Sequence, residues 1–562
     1  MKLTLMQDFE TKFREARELQ ELGLFPEAKA EYEKIVFDYP TQLGPLQLLG
    51  WVNSQLGFWP ESIDSLSKAI ELSPNDPHSY YIMGVVMCKF GSWVAGIECF
   101  DRVLDLDHNH LDALCDRGSA QLELKHFDSA LESYKRSIEI DNKYAAAYFG
   151  CGNALRELKR NEEAIEFFSE AILHNSKYYE AYNNLGKIHH EAGSFNNALE
   201  CFEKAIVIEN SNPLAHANSS VELKYLHRME ESLRSLEIAI ALQPDYYDAY
   251  WNRALTHLLM GNLIQGFRDY HYRWQTALFR PIKRNFHQPI WLGSESLVDK
   301  TLLIFNEQGL GDSIQFCRYA TLAKKAGATV IYEVEISLYS IFTTLNGVDR
   351  LIKAGEPLPK FDYYCPSMSL PIGFETDINS VPSSIPYLNT DNEKLLIWQK
   401  KLGPKLRPRV GLCWSGSPTH GGDKWRSITL KEMFKYLPGG IDYISLQKQT
   451  RKNDEITLRE ISEIRSFNDE LKDFSDTAAL ASNLDLIITV DTSIAHLAGA
   501  LGLKTWVLLP HTPDWRWMLG RADSLWYPTM KLYRQDNNGD WDSCLIKLGC
   551  DLSVFILTTI SL

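Results

Sequence analysis

The chain has 562 residues and ten cysteines, but no Cys-x-x-Cys pair. The cysteines stand scattered at 88, 99, 115, 151, 201, 317, 365, 413, 544 and 550. They read as reduced thiols in packed cores, which excludes a disulfide framework and a cysteine zinc site. Positive charge is not in surplus either: 58 Lys and Arg against 73 Asp and Glu leave a formal net charge of −15. That excludes non-specific nucleic-acid binding and docking on an acidic membrane surface, while a local pocket can still take an anion. No apolar run reaches bilayer length. The longest near the end, VFILTTISL (554–562), is far too short for a membrane span and reads as a terminal packing segment or a frayed tail. The opening MKLTLMQDFETKFREA lacks a sustained apolar stretch, so no secretory leader is expected and the chain reads as cytoplasmic.

What the sequence has in abundance is order. Ala28, Ser62, Gly96, Ala130, Ala164, Ala198, Ser232 and Gly266 follow one another at a constant step of 34. Ala16, Gly50, Gly84, Gly118, Gly152, Gly186, Ser220 and Ala254 keep the same step. Four residues after each member of the first series stands a large side chain: Tyr32, Leu66, Phe100, Tyr134, Phe168, Phe202, Leu236 and Tyr270. Two small residues per unit let paired helices approach, and the large one fills the gap between them. Period and pattern resemble tetratricopeptide repeats, eight of them over 9–278, stacked as an α-solenoid. Asn184, Asn218 and Asn252 recur at one position of repeats six to eight, with Asp116 at that position in repeat four. An amide both donates and accepts, so such a row on the groove suits the backbone of an extended peptide. The protein O-linked N-acetylglucosamine transferases, which also join such repeats to a sugar transferase, carry a similar ladder.

Beyond residue 280 the period ends and short β-branched runs alternate with helical stretches: TLLIF (301–305), ATVIYEV (328–334), RVGLCW (409–414), IDYISLQ (441–447), LDLIITVD (484–491) and KTWVLLP (504–510). This is the pattern of parallel α/β sheets. The polar stretch 388–408 lacks a strand and reads as a hinge, so two doubly wound lobes are expected, 284–390 and 405–545, with a cleft between them. Ligands in such sheets bind beyond the carboxyl ends of the strands.

Three motifs fall at such ends. In NEQGLGDSIQF (306–316), Gly309 and Gly311 are expected to supply backbone freedom and close approach to a ligand, and Asp312 to start a helix. Asp312 is then a cap, or a base that removes a proton from an acceptor hydroxyl, with Glu307 as the rival base. In VGLCWSGSPTHGGDKWRSI (410–428), a strand runs into Ser415 and a loop whose Lys424 and Arg426 could neutralise a phosphate leaving group. In LDLIITVDTSIAHLAGALG (484–502), Asp491, Thr492 and Ser493 join a strand to a helix whose N-terminus suits a phosphate, with His496 one turn on. An aromatic cluster follows, with Trp515, Trp517, Trp526 and Tyr527 around Asp514, Arg516 and Arg521, either core or a stacking surface.

Together GLGD, SGSPTHGGDKWRSI and VDTSIAHLAGALG resemble the ADP-heptose:lipopolysaccharide heptosyltransferases, glycosyltransferase family 9, over 300–535. The resemblance is strongest to members that carry an N-terminal tetratricopeptide array, some of them linked to flagellin glycosylation. It implies an α/β GT-B fold of two Rossmann-like lobes and inverting, metal-independent transfer without a cofactor, the nucleotide-sugar being the substrate. It matches Asp312 to the family's candidate base, Lys424 to its phosphate-binding lysine, Asp491, Thr492 and Ser493 to the segment holding donor sugar and phosphate, and His496 to a nearby helix histidine. Ser493 stands where the family often has glycine. The expected activity is glycosyl transfer from a nucleotide-sugar to a protein such as flagellin held in the repeat groove. The alternatives are a repeat scaffold with an inactive transferase-like half, or a transferase acting on a glycan or lipopolysaccharide.

Overall fold

The 34-residue period folds as eight helix pairs, from Lys2–Glu21 with Phe25–Asp38 to Tyr247–Leu259 with Leu263–Tyr270. The helices begin before the expected residue 9 and end before 278, where a short 3-10 turn, His271–Gln275, takes over. The computed structural model describes residues 2–560. The spacing rule has a steric cause. A Cβ added at Gly50 would lie 2.5 Å from Leu66, and one at Gly84 would lie 2.6 Å from Phe100. Gly152 stands in the same relation to Phe168, and Gly186 to Phe202. Where serine replaces the small residue it makes a bond to the facing helix: the hydroxyl of Ser62 donates to the Gly50 carbonyl (2.6 Å) and that of Ser232 to the Ser220 carbonyl (2.8 Å). The turn inside each pair is left-handed at a further 34-residue series, held by Gly23, Gly57, Gly91, Gly193 and Gly261, with Lys125, Lys159 and His227 taking the same conformation. Non-glycine residues there carry backbone strain.

The chain divides into two compact units, 1–210 and 211–562. The boundary falls inside the expected repeat domain, so the last two repeats belong with the α/β half. Their apolar face explains this. Met229, Leu258, Leu259, Phe267 and Tyr270 share one buried cluster with Trp291, Leu302, Phe316 and Trp515.

The second unit contains two wholly parallel sheets. The first holds β1 (Thr301–Phe305), β2 (Thr329–Val334), β3 (Arg350–Lys353) and β4 (Tyr363–Pro366) in the order β3-β2-β1-β4. The second holds β5 (Arg409–Cys413), β6 (Asp442–Ser445), β7 (Ile464–Arg465), β8 (Leu486–Val490), β9 (Thr505–Leu509) and β10 (Met530–Arg534) in the order β10-β9-β8-β5-β6-β7. In each sheet the chain builds outward from its first strand and then returns to build on the other side. The reversal lies between β1 and β4 in one sheet and between β5 and β8 in the other, where doubly wound folds open a crevice. Every residue of β5, β8 and β9 is buried, as expected for strands covered on both faces.

Two expectations need correction. The stretch 388–408 is not a plain hinge: it contains the helix Asn392–Leu402, capped by Asp391, whose carboxylate accepts from the Lys394 amide (3.0 Å). Trp398 and Leu402 of that helix are buried with Ile444, Leu446 and Ile487 of the second sheet. The second lobe also runs past residue 545, since the helix Asp542–Ile560 buries Cys544, Leu545, Leu548 and Leu552 against it. Phe555 and Ile556 pack partly on the same core, and Val554 and Leu557 are exposed, so part of the apolar C-terminal run is a packing segment. Residues 561–562 lie outside the described residues.

Candidate functional site

The two reversal points converge on one cluster of charge. β1 leads through Asn306–Gln308 into the helix Leu310–Phe316, and β8 leads through Asp491 into the helix Ser493–Ala500. These two helices pack directly on each other, and Gly311 is the reason. A Cβ there would sit 2.8 Å from His496 and 3.5 Å from the Ser493 Cα. Neither Gly309 nor Gly311 has a positive φ, so the expected conformational role is not used, and Gly311 takes a packing role instead. Gly311→Ala should cost about 1–3 kcal/mol as an overpacking change, read as a lower melting temperature. Elsewhere in a helix the same exchange usually stabilises.

Asp312 does not begin its helix. Gly309 holds the cap position, and the Asp312 carboxylate reaches back to accept from the Gly309 amide (2.9 Å). Its other oxygen accepts from Arg516, a residue 204 positions away. The aromatic-cluster residue Arg516 thus joins the site, a role its sequence neighbourhood did not assign it. It is 8% exposed, its Nε donates to Gln315 (2.6 Å) and its Nη1 to Asp514 (2.7 Å), and its guanidinium lies 4.4 Å from the Trp515 ring. Burial opposes its charge, and the carboxylates of Asp312 and Asp514 overcome that, so it stays cationic. Trp515, Trp517, Trp526 and Tyr527 are core that holds Asp514 and Arg516 in place, all of them at most 3% exposed. Arg318 adds a second tie between the sheets' halves, donating to the Trp526 carbonyl (2.8 Å) and the Tyr387 hydroxyl (2.8 Å).

Glu307 is placed as a strut. Its side chain is 1% exposed and both oxygens accept from Arg273. Burial pushes its carboxyl above the ordinary range, against the pull of Arg273. Asp312, by contrast, is 19% exposed at the side chain. An ionised carboxylate has about four lone-pair sites, so two partners leave acceptor capacity over.

On the other side, Ser415 follows β5. Its amide donates to Gln447 Oε1 (3.2 Å) and its carbonyl accepts from Gln447 Nε2 (3.0 Å), while the buried hydroxyl has no hydrogen-bond partner among the described residues. Arg426 donates through Nη1 to the Asp491 carbonyl (2.9 Å). Its buried Nε has no hydrogen-bond partner among the described residues, the nearest carboxylate oxygen being that of Asp423 at 3.8 Å. Gly416 makes room for it: a Cβ there would stand 2.6 Å from Arg426 Nη2. Lys424 lies exposed in a short helical turn, its ammonium 4.4 Å from the Trp425 ring. Thr492 caps the Ser493–Ala500 helix, accepting from the Ile494 amide (3.3 Å). His496 is buried, its Nδ1 paired with the Tyr527 hydroxyl (2.9 Å) and its ring stacked on Trp517. Burial, reinforced by Arg516 and Arg318, pushes this imidazole well below its usual value, so it is a neutral packing group.

Asp491 is 8% exposed, and burial with the nearby Asp514 charge pushes its carboxyl up to about 6. The folded chain thus takes up a proton near pH 6 that an unfolded aspartate takes up only near about 3.9. Stability tied to this group is fully present at low pH and lost as pH rises through 6. Asp491→Asn should therefore raise the melting temperature at pH 7.5, with the gain shrinking as pH falls through about 6 toward 4, read by thermal scans across pH.

Of the proposed ladder, Asn184 sits in the first unit, where its amide donates to Asn153 (2.8 Å). Asn218 and Asn252 lie on the Pro213–Tyr225 and Tyr247–Leu259 helices of the second unit. Among the described residues no cluster of three His, Cys, Asp or Glu is placed to hold a metal ion. The single Asp-x-Asp of the second half, Asp540-Trp541-Asp542, marks a helix start, with Trp541 buried and Asp542 accepting from the Tyr436 hydroxyl (2.7 Å). Also among the described residues, no helix is long and apolar enough to cross a membrane.

A recess of about 180 Å³ opens beside Phe305, Tyr364 and Pro366 at the ends of β1 and β4. Its other walls include His271, Tyr272, Trp274, Gln275, Lys283 and Arg284, all from the segment that follows the last repeat.

Comparison with known proteins agrees with the repeats. Models of the tetratricopeptide repeat match residues 111–144, 152–193 and 179–212. Protein FlbA of Caulobacter vibrioides is 24% identical over 330 residues, 54% of this chain and 54% of its own length. The chain thus spans about half the length of that relative. Among solved structures, a tetratricopeptide repeat protein from Parabacteroides merdae is 15% identical with a TM-score of 0.37, covering 44% of this chain and 99% of its own. MamA is 24% identical with a TM-score of 0.28, covering 31% of this chain and 94% of its own.

Proposed function

We propose that the chain is a glycosyltransferase of the GT-B kind, moving a sugar from a nucleotide-diphosphate sugar to a hydroxyl of a protein acceptor, with flagellin or another surface protein as the candidate class. The observation that carries the reading is the pairing of two unlike groups across the lobes. An accessible carboxylate, Asp312, stands on the first lobe. The second carries Arg426 on the Asp491 carbonyl, the Ser415 hydroxyl, and a capped helix N-terminus at the strand reversal whose Ser493 packs against Gly311, next to Asp312 in the chain. A helix N-terminus and a guanidinium favour a phosphate, and Lys424 adds positive charge at the rim. Asp312 would take the proton of the attacking hydroxyl, while Arg426 and the 493–500 helix stabilise the leaving diphosphate. Arg516 would keep Asp312 aimed. The recess at the ends of β1 and β4 lies on the acceptor lobe, next to the end of the repeats that would deliver the protein.

The test is thermal shift of the full chain against UDP, GDP, ADP, CMP and their common sugar conjugates. A ligand present at 100-fold its dissociation constant adds about 2.7 kcal/mol, a readily visible rise. A shift from one nucleotide family supports the reading and names the base. No shift from any leaves a repeat scaffold on a silent lobe pair as the better account.

A further inference from the structure

The last repeat reaches into the loop that carries Asp312. Arg273, just past the repeat, is fully buried and forks both arms onto Glu307, Nε at 2.7 Å and Nη2 at 2.6 Å. The same Nη2 donates to the Ser369 hydroxyl (2.9 Å), and Glu307 also accepts from the Met368 amide (3.1 Å) beyond β4. Beside it, the Tyr270 hydroxyl, from the final large residue of the 34-residue series, donates to Gln308 Oε1 (3.1 Å). The next links are the Gly309 amide on Asp312 and Asp312 on Arg516. One bonded chain therefore runs from repeat eight to the candidate base.

We infer that Arg273 and Tyr270 are positioning residues, so that the docked last repeat sets the geometry of Asp312 through the 306–309 loop. This rests on the transferase reading above. A strut serving stability alone would need none of these links to end on the reactive carboxylate. A two-pronged Arg–carboxylate pair fixes orientation as well as distance, which suits a loop of four residues that must hold its register. The arrangement also gives the repeats a route to the chemistry through Glu307 and Gln308 on the first lobe, alongside the packing of Phe267 and Tyr270 on Trp515 of the second.

The test uses the full chain with Arg273→Met and Glu307→Met combined, which avoids leaving a lone buried charge. Tyr270→Phe is the second variant, since it removes the hydroxyl's bonds to Gln308 and to the Met368 sulfur and keeps the ring. Hydrogen exchange of the Gly309 amide and of peptides spanning 306–316 is read beside the 493–500 helix, with kcat and KM of sugar transfer. The expected result is at least about tenfold faster exchange at 306–312 in the double variant, no change at 493–500, and kcat down about tenfold or more with donor KM within about twofold. Tyr270→Phe should show the same pattern at about threefold. Wild-type exchange and wild-type kcat in folded variants would overturn the inference, as would a loss confined to donor KM. Absence of transfer by the wild-type chain would instead count against the transferase reading, and the exchange comparison would still decide whether repeat eight holds the loop.

Discussion

Asp312→Asn should lower sugar transfer at least about a hundredfold, the low end of what a general base contributes, with nucleotide affinity within a few-fold of wild type. The exchange is nearly isosteric. The asparagine oxygen can still accept from the Gly309 amide, so the helix keeps its cap. What disappears is the negative charge and the means of taking a proton. Arg516 would lose one of its two carboxylate partners but retain Asp514 at 2.7 Å. Asp514→Asn is accordingly the control. It removes a carboxylate from the same guanidinium while leaving the candidate base, and its loss should stay under about tenfold, in the range of a disturbed hydrogen bond to a charged group. Turnover by Asp312→Asn at the wild-type rate would reduce Asp312 to a cap. Equal losses in the two variants would assign the effect to Arg516 and its orientation.

Arg426→Met is expected to weaken binding of the nucleotide diphosphate by roughly 10- to 150-fold, the equivalent of losing one hydrogen bond to a charged group. Arg426 is anchored by the Asp491 carbonyl and is 17% exposed at the side chain, so its charge is poorly screened and already in place. Lys424 is exposed and carries more rotamer freedom to lose, so Lys424→Ala should cost less and depend more on salt. Calorimetry at two ionic strengths separates the two. An Arg426→Met variant that binds as tightly as wild type would place the phosphate away from the β5–β8 reversal, and the proposed donor site with it.

The repeats were fully legible in the sequence because each unit packs only on its neighbours, so every steric rule recurs at a fixed step. Gly50 against Leu66 and Gly186 against Phe202 are sixteen residues apart in both cases, within reach of a pattern search. The left-handed turn series was equally available, although three of its members are not glycine. The six apolar strands were legible because burial on both faces leaves unbroken β-branched runs. β3, β4, β7 and β10 read RLIK, YYCP, IR and MKLYR, and nothing local marks these segments as strands. Each becomes a strand by pairing with a neighbour already in the sheet.

The site divides the same way. Sequence alone determined that glycine, acid and helix start meet at 309–312, that Asp491-Thr492-Ser493 joins strand to helix, and that Lys424 and Arg426 share a charged loop, because these relations are local in the chain. Tertiary structure decided what each residue does there. Gly311 is small because His496 and Ser493 lie against it, Glu307 is consumed by Arg273, His496 is kept neutral by burial, and Asp312 meets Arg516 across 204 positions. It also decided that the last two repeats belong to the α/β unit, through an apolar face that no spacing rule distinguishes from those of the other six. Steric periodicity is written along the chain, whereas the partner of a buried charge is chosen by the fold, which brings together groups the sequence keeps far apart.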